Sequence, residues 1–206
     1  RKTLEDIVIA YGGIDEIVVT AGLFPTPGAD GKTSDSDFMR AMQVNVLAPA
    51  VLVEEAAAVM MAQKLPCSAV VTTSVNAVVS KKGSSAYDAS KAAANHLVRS
   101  LAVTFAPFVR VNAVAPATVI EGSTMFPRAR VIASLKKYAI AHDESMTDAQ
   151  LVECLGRFYA DRTLLKTTIT PRDQAAAIRF LAGPESSRTT GQVLHVDGGL
   201  ADAFVR

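Results

Sequence analysis

Four short apolar runs rich in β-branched residues, set between longer stretches of helical spacing, constrain this chain's fold more than any other feature. The runs are Ile14 to Thr20, Ser68 to Thr73, Val109 to Val114 and Gln192 to Val196. Nearly continuous apolar strands of this kind suit a parallel sheet buried on both faces. Helices are expected from Thr3 to Tyr11, Ser36 to Gln63, Ser84 to Phe105 and Thr170 to Gly183. Gly12-Gly13 offers the left-handed residue that ends the first. Thr170-Pro171-Arg172-Asp173 starts the last with a capping threonine, a proline at the first helical position and an early acid. Alternation of this sort predicts an α/β fold: a doubly wound parallel sheet with helices on both faces and right-handed crossovers.

The punctuation between these elements is informative. Pro49, inside the second helix, predicts a kink near Asn45, because the proline ring displaces the carbonyl four residues back. Leu23 to Ser36 and Val75 to Gly83 read as loops. Ala117 to Lys166 is charged and less periodic, with short helices expected at Arg128 to Ala139 and Asp148 to Tyr159. In parallel sheets ligands bind beyond the carboxyl ends of the strands. Thr20-Ala21-Gly22, Ser74 and Ala115-Pro116-Ala117 all fall there.

With 206 residues, half of them hydrophobic, the chain supports one core and reads as a single domain over 1–206. Lys and Arg number 21 against 20 Asp and Glu, with no basic stripe interleaved with aromatics, which argues against a nucleic-acid partner. Cys67 and Cys154 lie far apart without metal-ligand spacing, so no metal site is expected and a reducing compartment is. No uninterrupted apolar run reaches the roughly 18 residues of a membrane span. The reading is a cytoplasmic protein that does not enter a membrane. The chain starts without methionine, in what reads as mid-helix, and is taken as a fragment.

The chemistry concentrates at Ser74, Tyr87 and Lys91, with Asn45 upstream. Lys91 follows Tyr87 by four residues, so on a helix both face one side. A phenol ordinarily titrates near pH 10, and a fixed neighbouring cation favours its ionised form. Tyr87 is therefore a candidate general acid or base. Alone, a Tyr-x-x-x-Lys pair more often marks a solvated helix face. The spacing from Ser74, the Asn45 position, the strand end at Thr20-Ala21-Gly22 and the tail from Gly191 to Gly199 favour the functional reading.

These motifs resemble the classical short-chain dehydrogenase/reductase family, and the resemblance covers essentially the whole chain. It implies a Rossmann-like sheet lacking the family's first strands and an NAD(P)-dependent oxidoreductase acting on a small alcohol or carbonyl compound. It implies that Tyr87 exchanges the proton, Lys91 lowers its pKa and binds the nicotinamide ribose, Ser74 holds the substrate oxygen, and Asn45 holds a water on a proton path. Ala21, Gly22, Tyr87, Lys91, Pro116 and Val119 are the implied cofactor contacts, with NAD the expected cofactor and NADP the alternative. Residues 117–166 would cover the substrate, and the protein would be a homodimer or homotetramer.

Departures from the family pattern stand out. Val19-Thr20 replace two asparagines, and Ala117 replaces a glycine. No glycine-rich pyrophosphate turn occurs, so the 206 residues alone are expected to bind cofactor weakly and to be inactive. Glu121-Gly122-Ser123, Arg162 to Lys166 and Ala203 to Arg206 look like the dehydrogenase half of bifunctional rhamnulose phosphate aldolase/alcohol dehydrogenase proteins. That likeness implies lactaldehyde or a similar hydroxyaldehyde as substrate and an aldolase domain ahead of this one. The competing reading is a non-catalytic fold relative serving as an oligomerisation or binding scaffold. A hydrolase using Ser74 lacks the Gly-x-Ser-x-Gly elbow.

Other candidates have bland readings. His96 and His195 read as packed or interface residues, His142 as solvated, and Asn112 as fixing a backbone turn. Thr124-Met125-Phe126 reads equally as a substrate lid or as core. The alanine-rich faces at Ala48 to Met61 and Ala92 to Ala106 suit either a dimer interface or packing on the sheet.

Overall fold

The computed structural model describes residues 2–28, 30–143 and 145–204. The motif ending at Val205-Arg206 therefore lies partly outside the described residues. The strands are β1 (Glu16–Val19), β2 (Cys67–Thr72), β3 (Val109–Pro116) and β4 (Val193–Val196), and they form one parallel sheet in the order β1-β2-β3-β4. The helices are α1 (Lys2–Tyr11), α2 (Asp35–Met42), α3 (Ala48–Gln63), α4 (Ser85–Phe105), α5 (Arg128–Lys137), α6 (Asp148–Asp161) and α7 (Pro171–Ala182).

β2 and β3 are covered on both faces, and the strand alternation shows by what. Ala69, Val71, Val111 and Ala113 pack with Val53, Ala57, Met60, Val98 and Leu101 of α3 and α4. Val70 and Val114 point the other way, onto Leu181 and Ala182 of α7. Val53, Met60 and Val98 are completely buried, and such side chains contribute roughly 1.5–3 kcal/mol each relative to exposure. All three connections step the same way across the sheet, yet α7 lies on the face opposite α3 and α4. The β3–β4 connection therefore has the opposite hand to the first two, a correction to the uniform crossovers the alternation predicts. The long excursion through α5 and α6 lets the chain reach that face.

Helix ends follow capping chemistry. Thr147 and Thr170 each close a capping box, with Gln150 and Asp173. The second helix is capped by Ser34, whose side chain accepts from Asp37 N, and not by Ser36. Gly12 stops α1 at φ +86°. From Asp35 to Gln63 the helix is long and apolar enough to cross a membrane by length and composition alone. One of its faces packs on the sheet and α4, which is how a core helix meets the same criteria.

β1 departs from expectation. Val18 is 44% exposed and Glu16 is also open to solvent, whereas Ile14 to Thr20 reads as a doubly buried strand. Their register partners, Val70 and Ser68, lie under α7, but that helix leaves Glu16 and Val18 uncovered on the same face.

Candidate active site

α4 carries Tyr87 in its first turn and Lys91 one turn later, both at the carboxyl end of β2. Lys91 is 3% exposed, and its Nζ donates to the Thr72 carbonyl at 2.9 Å while standing 5.7 Å from the centroid of the Tyr87 ring. Ser74, two residues beyond β2, is buried and accepts from Asn76 N at 3.1 Å, and its hydroxyl is near enough to the Tyr87 phenol to favour the ionised form of that phenol. The structure thus brings Ser74, Tyr87 and Lys91 to one point.

Their electrostatics differ from the sequence expectation. Burial lowers the Lys91 ammonium to a pKa of about 8. Burial raises the Tyr87 phenol above its ordinary value; the Ser74 hydroxyl opposes that rise, and the Asp88 charge adds to it. The phenol is therefore not acidified by Lys91 in this state. Lys91 directs its hydrogen bond at Thr72, and an amine with a pKa of about 8 is only partly charged in mildly alkaline solution.

Asn45 sits in a π-helical turn, Gln43–Leu47, between α2 and α3. The Ala48 amide reaches back to Gln43 O, and Pro49 has no N–H to offer the Asn45 carbonyl. The kink expected near Asn45 is realised as this wider turn, a form frequent at functional sites. The buried Asn45 amide is fully engaged: Oδ1 accepts from Leu23 N at 2.7 Å, and Nδ2 donates to Leu23 O and Ser90 Oγ, each at 2.9 Å. A methyl group on Gly22 would sit 3.6 Å from Lys91 Nζ and 3.8 Å from Asn45 Oδ1. Asn45, Gly22 and Lys91 are therefore neighbours.

Four supporting residues escaped the sequence reading. Asp88 accepts from Asn76 Nδ2, Lys81 N and Ser84 Oγ, tying the loop after Ser74 to the start of α4. Its place in the first turn of a helix was a usable signal. Ser90 accepts from Asn45 and donates to Tyr87 O at 2.7 Å. Phe24 packs on the Tyr87 ring, and Arg130 of α5 packs on Phe24; no local pattern marks either.

Ala21 and Gly22 are exposed, and Pro116 ends β3 half-buried, paired with Val196. Val119 is half-buried and bridges to Ile169. In the 117–166 segment, Ile120, Val131, Leu135, Leu151 and Leu155 form a separate small core, and Phe126 packs against it while Met125 is 38% exposed. A cavity of about 360 Å³ adjoins Ser74 through Val75 and is lined by Lys81, Thr118, Ile120, Tyr159 and Arg162 among others. His96 is exposed, and His142 is half-buried with Nδ1 2.8 Å from Ile140 O rather than solvated. His195 Nδ1 lies 3.9 Å from the buried Asp197. Asn112 joins β3 to Thr189 O and Gln192 N, fixing that turn. Both cysteines are free, and no cluster of metal-ligating side chains occurs among the described residues.

The site fits a nicotinamide ribose. Lys91 has three N–H donors and spends one on Thr72. The Thr72 hydroxyl oxygen is buried without a partner, and the Gly22 backbone beside them is open to solvent. Vicinal ribose hydroxyls, which both donate and accept, match that inventory.

A family model described as enoyl-(acyl carrier protein) reductase matches residues 1–201. The chain is 34% identical over 207 residues to the uncharacterized oxidoreductase YuxG of Bacillus subtilis, covering all of this chain and 28% of that protein. It is 32% identical over 191 residues to short-chain dehydrogenase reductase 3a of Arabidopsis thaliana, covering 92% of this chain and 66% of that one. Ligand-free aldohexose dehydrogenase of Thermoplasma acidophilum superposes with a TM-score of 0.81 at 28% identity, over 97% of this chain and 72% of that chain.

Proposed function

The chain belongs to the short-chain dehydrogenase/reductase family, and from that premise we propose an oxidoreductase that moves a hydride between a nicotinamide cofactor and a small alcohol or carbonyl compound. The observation that carries the proposal is the meeting of Ser74, Tyr87 and Lys91 around one phenol. When bound, the nicotinamide supplies or accepts the hydride. In reduction, the Tyr87 hydroxyl gives its proton to the carbonyl oxygen, and the Ser74 hydroxyl donates a hydrogen bond to the same oxygen as it gains charge. In oxidation both steps reverse, with Tyr87 taking the alcohol proton. The raised phenol pKa keeps Tyr87 protonated at neutral pH, ready to act as an acid.

Lys91, with two spare donors, holds the ribose beside Tyr87, with Ala21, Gly22, Pro116 and Val119 forming the rest of the cofactor edge. Asn45 has its side chain spent on Leu23 and Ser90, so its backbone carbonyl is the atom offered to a water on a proton path. NAD is the preferred cofactor in this reading and lactaldehyde or a similar hydroxyaldehyde the substrate, with residues 117–166 covering it. The intact protein is proposed to be cytoplasmic, to carry an aldolase domain, and to assemble as a homodimer or homotetramer. Outward apolar side chains on α3 and α4, including Val51, Leu52 and Val103, suit that assembly.

Steady-state assays of the intact protein with NAD or NADP test this reading. Turnover of small hydroxyaldehydes with NAD is expected. Turnover confined to sterols or acyl thioesters would overturn the substrate assignment, and no nicotinamide-coupled turnover of any alcohol or carbonyl compound would leave a binding scaffold.

A further inference from the structure

Phe24 packs against Tyr87 with ring centroids 4.9 Å apart and planes tilted by 48°. It follows Leu23, whose backbone N–H and C=O are both clamped by Asn45, so the base of the Phe24 side chain is fixed at the cleft. Arg130, in the first turn of α5, places its guanidinium carbon 4.9 Å from the Phe24 centroid and 5.5 Å from that of Phe126. Arg130 makes no ion pair with any described residue; its cation rests on two aromatic faces, an attractive arrangement within about 6 Å. These contacts run from the segment 117–166 through Phe24 to the phenol.

We infer that Phe24, pinned by Arg130, is the wall that sets substrate size, admitting a small substituent on the reacting carbon and excluding an aryl or cyclic one. The inference rests on the oxidoreductase reading and deepens it. A substrate must bring its oxygen to the Tyr87 hydroxyl and Ser74 together, and the Phe24 ring occupies space beside the Tyr87 ring into which a larger group would project. An unpinned phenylalanine in a loop could rotate away to admit such a group. Held between Tyr87 and the Arg130 guanidinium, it is fixed. Phe24 is thus a specificity-determining residue and Arg130 a positioning residue.

The test compares lactaldehyde with phenylglycolaldehyde, which differ in a methyl against a phenyl group, using the intact protein and NAD. The parent favours lactaldehyde. Phe24→Ala raises the phenyl-to-methyl ratio of kcat/KM by about tenfold or more, the scale of pocket-size discrimination. Arg130→Gln moves the ratio the same way by a smaller factor, chiefly by lowering KM for the phenyl compound, and Arg130→Lys, which keeps a cation over the rings, recovers part of the original ratio. Phe24→Leu serves the same purpose should the alanine variant fail to fold, as judged by circular dichroism. Lactaldehyde turnover with a ratio unchanged in the Phe24 and Arg130 variants overturns this inference alone. Absence of turnover by the parent on both compounds overturns the hydroxyaldehyde assignment, and the inference with it, whereas the oxidoreductase reading falls only if no alcohol or carbonyl compound is turned over with a nicotinamide cofactor.

Discussion

Lys91 Nζ stands 5.7 Å from the centroid of the Tyr87 ring and donates its hydrogen bond to the Thr72 carbonyl. The lysine is therefore anchored to the end of β2, with the phenol beside it and not bonded to it. Burial, which lowers the amine, also raises the phenol, so both groups are held closer to their neutral forms than they are in water.

That burial has a consequence for stability. Lys91 falls from an ordinary 10.5 to about 8 in the folded protein, so between those values the unfolded chain binds the extra proton and stability rises with pH. Below pH 8 the charged, buried amine carries its full penalty, on the order of 3 kcal/mol. The stability of the parent relative to Lys91→Met is expected to increase between pH 8 and pH 10, measured by urea unfolding at each pH. A pH-independent difference would show that Lys91 titrates as it does in water.

The Ser74 hydroxyl opposes the rise in the Tyr87 pKa. Ser74→Ala removes that hydroxyl and with it the donor proposed for the substrate oxygen, a loss of about a hundredfold in kcat on the scale of single oxyanion donors. Single-turnover kinetics reads it directly. A rise in KM alone, with kcat intact, would place Ser74 outside the reacting geometry.

Asn45 is the sole side chain bonded to both backbone groups of Leu23 among the hydrogen bonds described here. Asn45→Ala leaves those two groups without their partner, and the expected loss is about 2 to 6 kcal/mol at roughly 1–3 kcal/mol for each orphaned group. The urea midpoint should fall accordingly. A variant as stable as its parent would mean that the Leu23 backbone finds water instead.

Arg110 organises the opposite face of the sheet. Its guanidinium donates to the Leu181, Ala182 and Gly183 carbonyls at the end of α7, and to Ser186 Oγ and Thr189 O. The cation is placed where helix carbonyls lack partners and the dipole is negative. Arg110→Leu is expected to destabilise the protein by about 3 kcal/mol, visible as a lower melting temperature. An unchanged melting temperature would show that solvent serves these carbonyls equally well.

The contrast among these residues explains what could be read from the sequence. Periodicity located β1 to β4 and α1 to α7 to within a few residues but not the short 3-10 turns such as Val75–Ala77, and Thr170-Pro171 announced its capping box, because those signals are local. Ser34 and Ser36 each precede an aspartate, and only the three-dimensional course of the chain selects Ser34 as the cap. Ile14 to Thr20 looks doubly buried because its composition cannot show where α7 lies, and α7 leaves Val18 bare. Pro49 foretold a disturbance at Asn45 but not that a π turn would absorb it. Spacing on one helix brought Tyr87 to Lys91, whereas the contacts of Phe24 with Arg130 and of Arg110 with the end of α7 join residues distant in the chain. The direction of the Tyr87 shift depends on burial, which residue spacing does not report.

In the proposed reaction the Tyr87 hydroxyl carries the proton of a nicotinamide-linked hydride transfer. Tyr87→Phe keeps the ring packed on Phe24 and removes only that hydroxyl, so the most direct measurement is NADH formation by parent and variant of the intact protein under saturating substrate. Turnover is expected to fall by a factor of about a hundred to ten thousand with folding, followed by circular dichroism, unchanged. A correctly folded Tyr87→Phe variant that turns over at the parental rate would contradict it.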